Sequence, residues 1–145
     1  MAVTRVNLRG IRPLTRKVKD AVEEAVYDIT DDLIRTSSEA TPHWHGILEQ
    51  SYGRDVGWNG KRIIATVDYS VTEEHGNNGF NYAYFIHEGD YNLGEKSLEK
   101  AAGGGGIGMS GQSYPVGKKF LTRVLEGEET TYKKYIQKVV DKAVE

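Results

Sequence analysis

Val18, Ala21, Val22, Ala25, Val26, Ile29, Leu33 and Ile34 fall three and four residues apart, the spacing that gathers side chains onto one face of a helix. They predict a helix from about Thr15 to Ser38, with Pro13 and Thr15 suited to its start and Asp20, Glu23 and Glu24 to its positive end. A helix of about 24 residues spans roughly 36 Å, the full width of a small domain. Pro42 pushes Thr41 out of helical geometry and opens the connection Thr41-Pro42-His43-Trp44-His45-Gly46.

The pattern then changes period. Asn59-Gly60 is a strong two-residue turn signal. With that pair as the turn, Trp58 stands opposite Lys61, Val56 opposite Ile63, Arg54 opposite Ala65 and Tyr52 opposite Val67. One face of the hairpin is then mostly apolar, and the other carries Gly53, Asp55, Gly57, Arg62, Ile64, Thr66 and Asp68. A hairpin alone is marginal in water, so a third strand, a covering helix or a neighbouring subunit has to complete it.

Asn81 to Gly89 is the densest aromatic block, and Tyr82, Phe85 and Ile86 followed by Gly89 fit a helix of about two turns. A strand is also compatible with so short a run; the helix is preferred. Residues 90–117 hold Gly94, Gly103 to Gly106, Gly108, Gly111 and Gly117, and read as a long Gly-rich loop without self-supporting structure. From about Lys118, the residues Phe120, Leu121, Val124, Leu125, Tyr132, Tyr135, Ile136, Val139, Val140 and Ala143 return to helical spacing. Gly127 interrupts them and predicts a kink or two consecutive helices. Residues 1–12 read as an arm, with Gly10 breaking any regular element. The expected fold is α+β: a small antiparallel sheet built on the hairpin, packed against long N-terminal and C-terminal helices, with a short central helix.

At 145 residues, a single domain spanning 1–145 is expected. The absence of cysteine removes disulfides, thiol nucleophiles and thiolate metal sites together. No apolar run approaches the ~20 residues that span a bilayer, and no apolar signal core is visible, so a soluble, unprocessed chain without a membrane partner is expected. A net charge of −2 argues against a general nucleic-acid coat. The charge is uneven, however: Arg5, Arg9, Arg12, Arg16, Lys17 and Lys19 all precede the first acid, Asp20, and arginines on an extended arm reach phosphates.

Candidate chemistry is sparse. His43 and His45 flank Trp44, but no His-Glu-x-x-His spacing accompanies them or His75 and His87. His87 and Glu88 are adjacent, and adjacent helical residues normally diverge. Ser51, Ser70 and Ser110 sit in no nucleophile elbow. Gly103 to Gly106 lead into Ile107, and Gly117-Lys118 is followed by Lys119, so neither run completes a phosphate loop. The carboxylate pairs Asp31-Asp32 and Glu73-Glu74 read as solvated. No catalytic residue, metal or cofactor is expected.

Three spaced motifs resemble the neck and tail-completion proteins of tailed bacteriophages, a family that includes head–tail joining, tail-component and minor capsid proteins. A long amphipathic helix is followed by Pro42 and by Gly46-Ile47-Leu48-Glu49-Gln50-Ser51, matching Gly-x-Leu-x-x-Ser. Tyr82, Ala83, Ile86, His87 and Gly89 match a second pattern, and Phe120-Leu121 with Val124-Leu125-Glu126 match the opening of the closing helix. The sequence departs from the pattern at Lys119, where a proline often stands, and in the Gly-rich insertion at 90–117.

The resemblance implies a small α+β structural virion subunit at the head–tail interface. It would assemble as a ring, commonly a hexamer, between connector or stopper and tail tube, with passing contact with phage DNA, after assembly in the host cytoplasm. Arg5, Arg9 and Arg12, the run Gly103, Gly104, Gly105 and Gly106, and Ile107 and Met109 are the candidate assembly contacts. The flexible loop is expected to order on docking. Two other classes stand beside this one: a metal-dependent hydrolase using His43 and His45, and a monomeric binding module with a concave pocket.

Overall fold

The stripe beginning at Val18 folds as α1, Arg16–Ala40, in a computed structural model that describes residues 2–8, 15–43, 47–70, 82–89 and 91–144, with side chains at all of these except 2–8, 47, 82, 84 and 85. Thr15 caps the helix: its backbone is extended and its hydroxyl accepts the Val18 N–H at 3.2 Å. Helix α2, Ile47–Gln50, follows, then strands β2, Tyr52–Asn59, and β3, Arg62–Tyr69. Ile63, Ala65, Val67 and Tyr69 are buried on β3, and the residues between them are half-buried, the period-two alternation of a sheet with one face on the core.

The hairpin register differs from the expected one. Asn59 pairs with Arg62, Trp58 with Ile63, Val56 with Ala65, Arg54 with Val67 and Tyr52 with Tyr69, so Gly60 and Lys61 make the turn. Gly60 has φ +63° and takes the left-handed position at no steric penalty. Each partner on β3 moves by two residues, which leaves every side chain on its original face. The hydrophobic pattern therefore cannot distinguish the two registers, and turn chemistry decides.

Residues 2–8 are a strand rather than a free arm. Strand β1, Ala2–Leu8, pairs antiparallel with β3 from Ala2 opposite Tyr69 to Leu8 opposite Ile63, giving the sheet order β1–β3–β2. The chain thus fills the open edge of β3 with its own N-terminal segment and pairs the row of backbone groups a two-stranded ribbon leaves unused. Arg5 stands opposite Thr66; Arg9 and Arg12 lie outside the described residues.

The central block is helical, as expected: α3 is Tyr82–Glu88. The segment expected to be structureless is not. It contains α4, Glu95–Ala102, and a small hairpin of β4, Gly106–Ile107, and β5, Ser113–Tyr114. Its glycines serve close approach as much as freedom. A side chain at Gly106 would overlap the Thr36 carbonyl of α1, and one at Gly105, φ +72°, would overlap the Tyr114 carbonyl. The segment also closes α1: the Lys100 ammonium donates to the carbonyls of Ser38 at 2.8 Å and Thr41 at 2.7 Å, and Gly117 N–H donates to Ala40 at 3.1 Å. Helix ends leave such carbonyls without intrahelical partners, so this is where α1 needs donors.

Helix α5, Phe120–Ala143, runs through Gly127 as one helix, so of the two expected alternatives the pair of consecutive helices is not formed. Two buried clusters flank α1. In one, Ala25, Ile29 and Leu33 meet Leu121, Val124, Tyr132 and Ile136 of α5; in the other, Val18, Val22 and Val26 meet Ile63 and Ala65 of β3. Each fully buried aliphatic side chain contributes about 1.5–3 kcal/mol relative to exposure. No helix among the described residues is long and apolar enough to cross a membrane.

Candidate functional site

Glu128, on α5, is fully buried and has no ion-pair partner among the described residues. Its carboxylate instead accepts the Ser110 N–H at 2.7 Å, the Ser110 hydroxyl, and the Tyr114 hydroxyl at 2.8 Å. Space for this carboxylate exists because position 108 is glycine: any side chain there would overlap it. The Tyr114 ring reaches Glu128 by crossing Gly127, where a methyl group would overlap the phenol. The glycine that sequence alone marks as a helix break is thus the groove that admits a tyrosine.

Asp32 of α1 takes up the other side of the same turn. Its carboxylate accepts the Met109 N–H at 3.1 Å and the Tyr132 hydroxyl at 2.8 Å, and pairs with Arg35 at 2.7 Å. Arg35 and Thr36 donate to the Ile107 carbonyl at 2.9 and 3.3 Å. Far from being solvated, Asp32 is a ligand for the hairpin; its neighbour Asp31 pairs with Arg54. Burial, reinforced by Glu128 and by Asp32, pushes the Tyr114 and Tyr132 hydroxyls well above the usual phenol range, so both stay protonated as donors. The turn is held by carboxylates from two helices, while its tip turns outward: Ile107 is 56% and Met109 36% exposed.

The motif residues converge elsewhere, where α2, α3 and the start of α5 meet. Leu48, Ala83, Phe120 and Leu121 share one buried cluster. His87 is buried with its ring centroid 4.9 Å from that of Phe120, edge to face. The Thr122 N–H lies 3.4 Å from its Nε2, which assigns the ring proton to Nδ1, 3.2 Å from the Glu88 carboxylate. The adjacent pair therefore meets here, although both residues belong to α3. Burial lowers the His87 pKa against the opposing pull of Glu88. Glu88 also pairs with Lys119, whose backbone adopts φ 58° and whose N–H donates to the His87 carbonyl at 2.7 Å. Sequence marked His87 as a motif position; its packing against Phe120 needed the fold.

His43 pairs with Glu49 at 3.2 Å, while His45, with Trp44 and Gly46, lies outside the described residues, as do His75 and Glu73-Glu74. Beside His43 a cavity of about 330 Å³ opens between α3 and α4, with Pro42, Ile86, Tyr91 and Leu93 among its walls. Ser97, buried on α4, ties its floor to the chain by accepting the His43 N–H at 2.8 Å. No group of three or more side chains among the described residues is placed to hold a metal ion. Gly103 ends α4, and Gly104 and Gly105 lead into the hairpin. No family model, curated protein or solved structure matches this chain.

Proposed function

We propose that this chain is a non-enzymatic structural subunit of a tailed bacteriophage. In this reading it forms a ring, with six copies the expected number, at the head–tail interface and contacts connector and tail tube. The observation that carries the reading is the convergence of the three motifs. Leu48 from the first, Ala83 and His87 from the second, and Phe120 and Leu121 from the third meet in or against one core, although Leu48 and Ala83 stand 35 residues apart along the chain and Ala83 and Phe120 a further 37. Motifs that share a core are determinants of one fold, which is what a family pattern spread along a chain requires. The polar groups support the same conclusion. Among the described residues, Asp32, Glu128 and His87 have hydrogen bonds taken up by structural partners, as a structural rather than a reactive role requires.

The test is mass spectrometry of purified tailed particles made by a host that carries this sequence. The reading predicts peptides of this chain at several copies per particle, and unjoined heads and tails when the coding sequence is removed. Particles that lack the peptides and assemble normally without the chain would overturn it.

A further inference from the structure

We infer that His87 is a proton-operated cap: neutral, it holds α3 against the first turn of α5, and on taking up a proton it releases α3. Helix α5 begins without a cap of its own, because Lys119 at its N-cap position has φ 58° and supplies no side-chain acceptor. The first N–H groups of a helix have no intrahelical acceptor, and α3 provides two. The His87 Nε2 lies 3.4 Å from the Thr122 nitrogen and 3.3 Å from its hydroxyl oxygen, and the His87 carbonyl accepts the Lys119 N–H at 2.7 Å. A capping side chain normally belongs to the residue that precedes the helix. Here it comes from another helix, so the cap of α5 and the contact between α3 and α5 are one interaction.

A proton on Nε2 ends that role. It turns the acceptor into a donor facing the Thr122 N–H; the Thr122 hydroxyl is able to accept from it, but the backbone group is not. It also sets a positive charge at the positive end of α5, on a residue only 1% exposed, where burial disfavours the charged form. The charged groups facing His87 among the described residues are Glu88 of α3, 3.2 Å from Nδ1, and Lys119 and Arg123 at the start of α5. Glu88 favours the protonated ring, the two cations oppose it, and Lys119 pairs with the same carboxylate. The imidazole also meets Phe120, against which Tyr69 of β3 packs with its hydroxyl bonded to Ser37 and Ser38. Acid therefore acts on the seam between α3 and α5 through His87 alone among these groups, because the carboxylate and the two cations keep their charges in the range where an imidazole titrates.

The test is amide hydrogen exchange in the full chain from about pH 8 to about pH 5, read as protection relative to an unfolded reference. Amides of α3 and of the start of α5, Thr122 included, are expected to be less protected than those of β3 at every pH, which marks a local opening. Their protection should hold above about pH 6.5 and fall about tenfold per pH unit below it, the slope of one proton, until the lower value of the closed form is reached. His87→Gln keeps an acceptor that does not titrate and should abolish the acid loss. Glu88 and Lys119 are partly exposed, so their variants leave the core intact. Glu88→Gln removes the group that favours the proton in the closed form and should deepen the loss; Lys119→Met removes an opposing charge and should make it shallower. An acid loss that persists in His87→Gln, where His43 remains, would overturn the inference. So would α3 as strongly protected as β3 throughout, or charge variants that change the loss in the same direction or not at all. If His87→Gln does not fold, the two charge variants decide. None of these outcomes depends on ring formation.

Discussion

The Tyr114 hydroxyl donates to the Glu128 carboxylate at 2.8 Å across the Cα of Gly127. A β-strand residue, a helix residue and the missing side chain between them thus form one unit, which fixes the Gly-rich segment to α5. Replacing Glu128 with Gln keeps the shape but turns one acceptor into a donor facing donors. It should lower stability by about 2–3 kcal/mol, the range for losing hydrogen bonds to a charged group and leaving buried partners unmet. Chemical denaturation measures this, and hydrogen exchange should report faster opening at Met109 and Ser110 than elsewhere.

Gly127→Ala makes a sharper prediction because its sign is opposite to the general rule. In an ordinary helix interior the change stabilises by about 1 kcal/mol. Here the methyl group displaces Tyr114, and overpacking of about 1–3 kcal/mol should outweigh the propensity gain. In a Tyr114→Ala background the same substitution should become neutral or stabilising. A double-mutant cycle by thermal melting decides it.

Lys100 links α4 to the end of α1, with Glu49 at 2.7 Å as its counter-charge. Lys100→Met keeps much of the stem and removes three donors' work at Ser38, Thr41 and Glu49, so it should destabilise by about 1–2 kcal/mol. Exchange at the last turn of α1 should accelerate, whereas amides of β3 should follow only the global change.

Stability should fall at both ends of the pH range. His87 has a folded pKa below its ordinary 6.5, so the unfolded chain binds the proton more tightly; its contribution is complete above about pH 6.5 and is lost as pH falls through the lower folded value. Tyr69, Tyr114 and Tyr132 have folded pKa values raised above 10, so their contribution is complete below about pH 10 and is lost as pH rises through the folded values. Melting temperature against pH should show both limbs, and His87→Gln should flatten the acid one.

Regular periodicity made α1, α3, α5 and the hairpin legible in the sequence, because each buries one stripe or face against the next. The hairpin register was not legible: a two-residue slip keeps Val56, Trp58 and Ile63 on the same side. The segment around Gly103 to Gly117 misled for a different reason. Glycine signals conformational freedom and close approach with the same letter, and only the positions of Thr36, Tyr114 and Glu128 reveal which one applies. Ile107 and Met109 were visible as apolar residues among glycines, but the carboxylates that hold them, Asp32 and Glu128, stand 75 or more and 19 or more residues away in the chain. Nothing local ties them together.

Electron microscopy of the purified full-length protein tests the central claim most directly. The ring reading predicts closed annular particles of one uniform copy number. Fields of separate single subunits, at concentrations up to those used for assembly in solution, would contradict it.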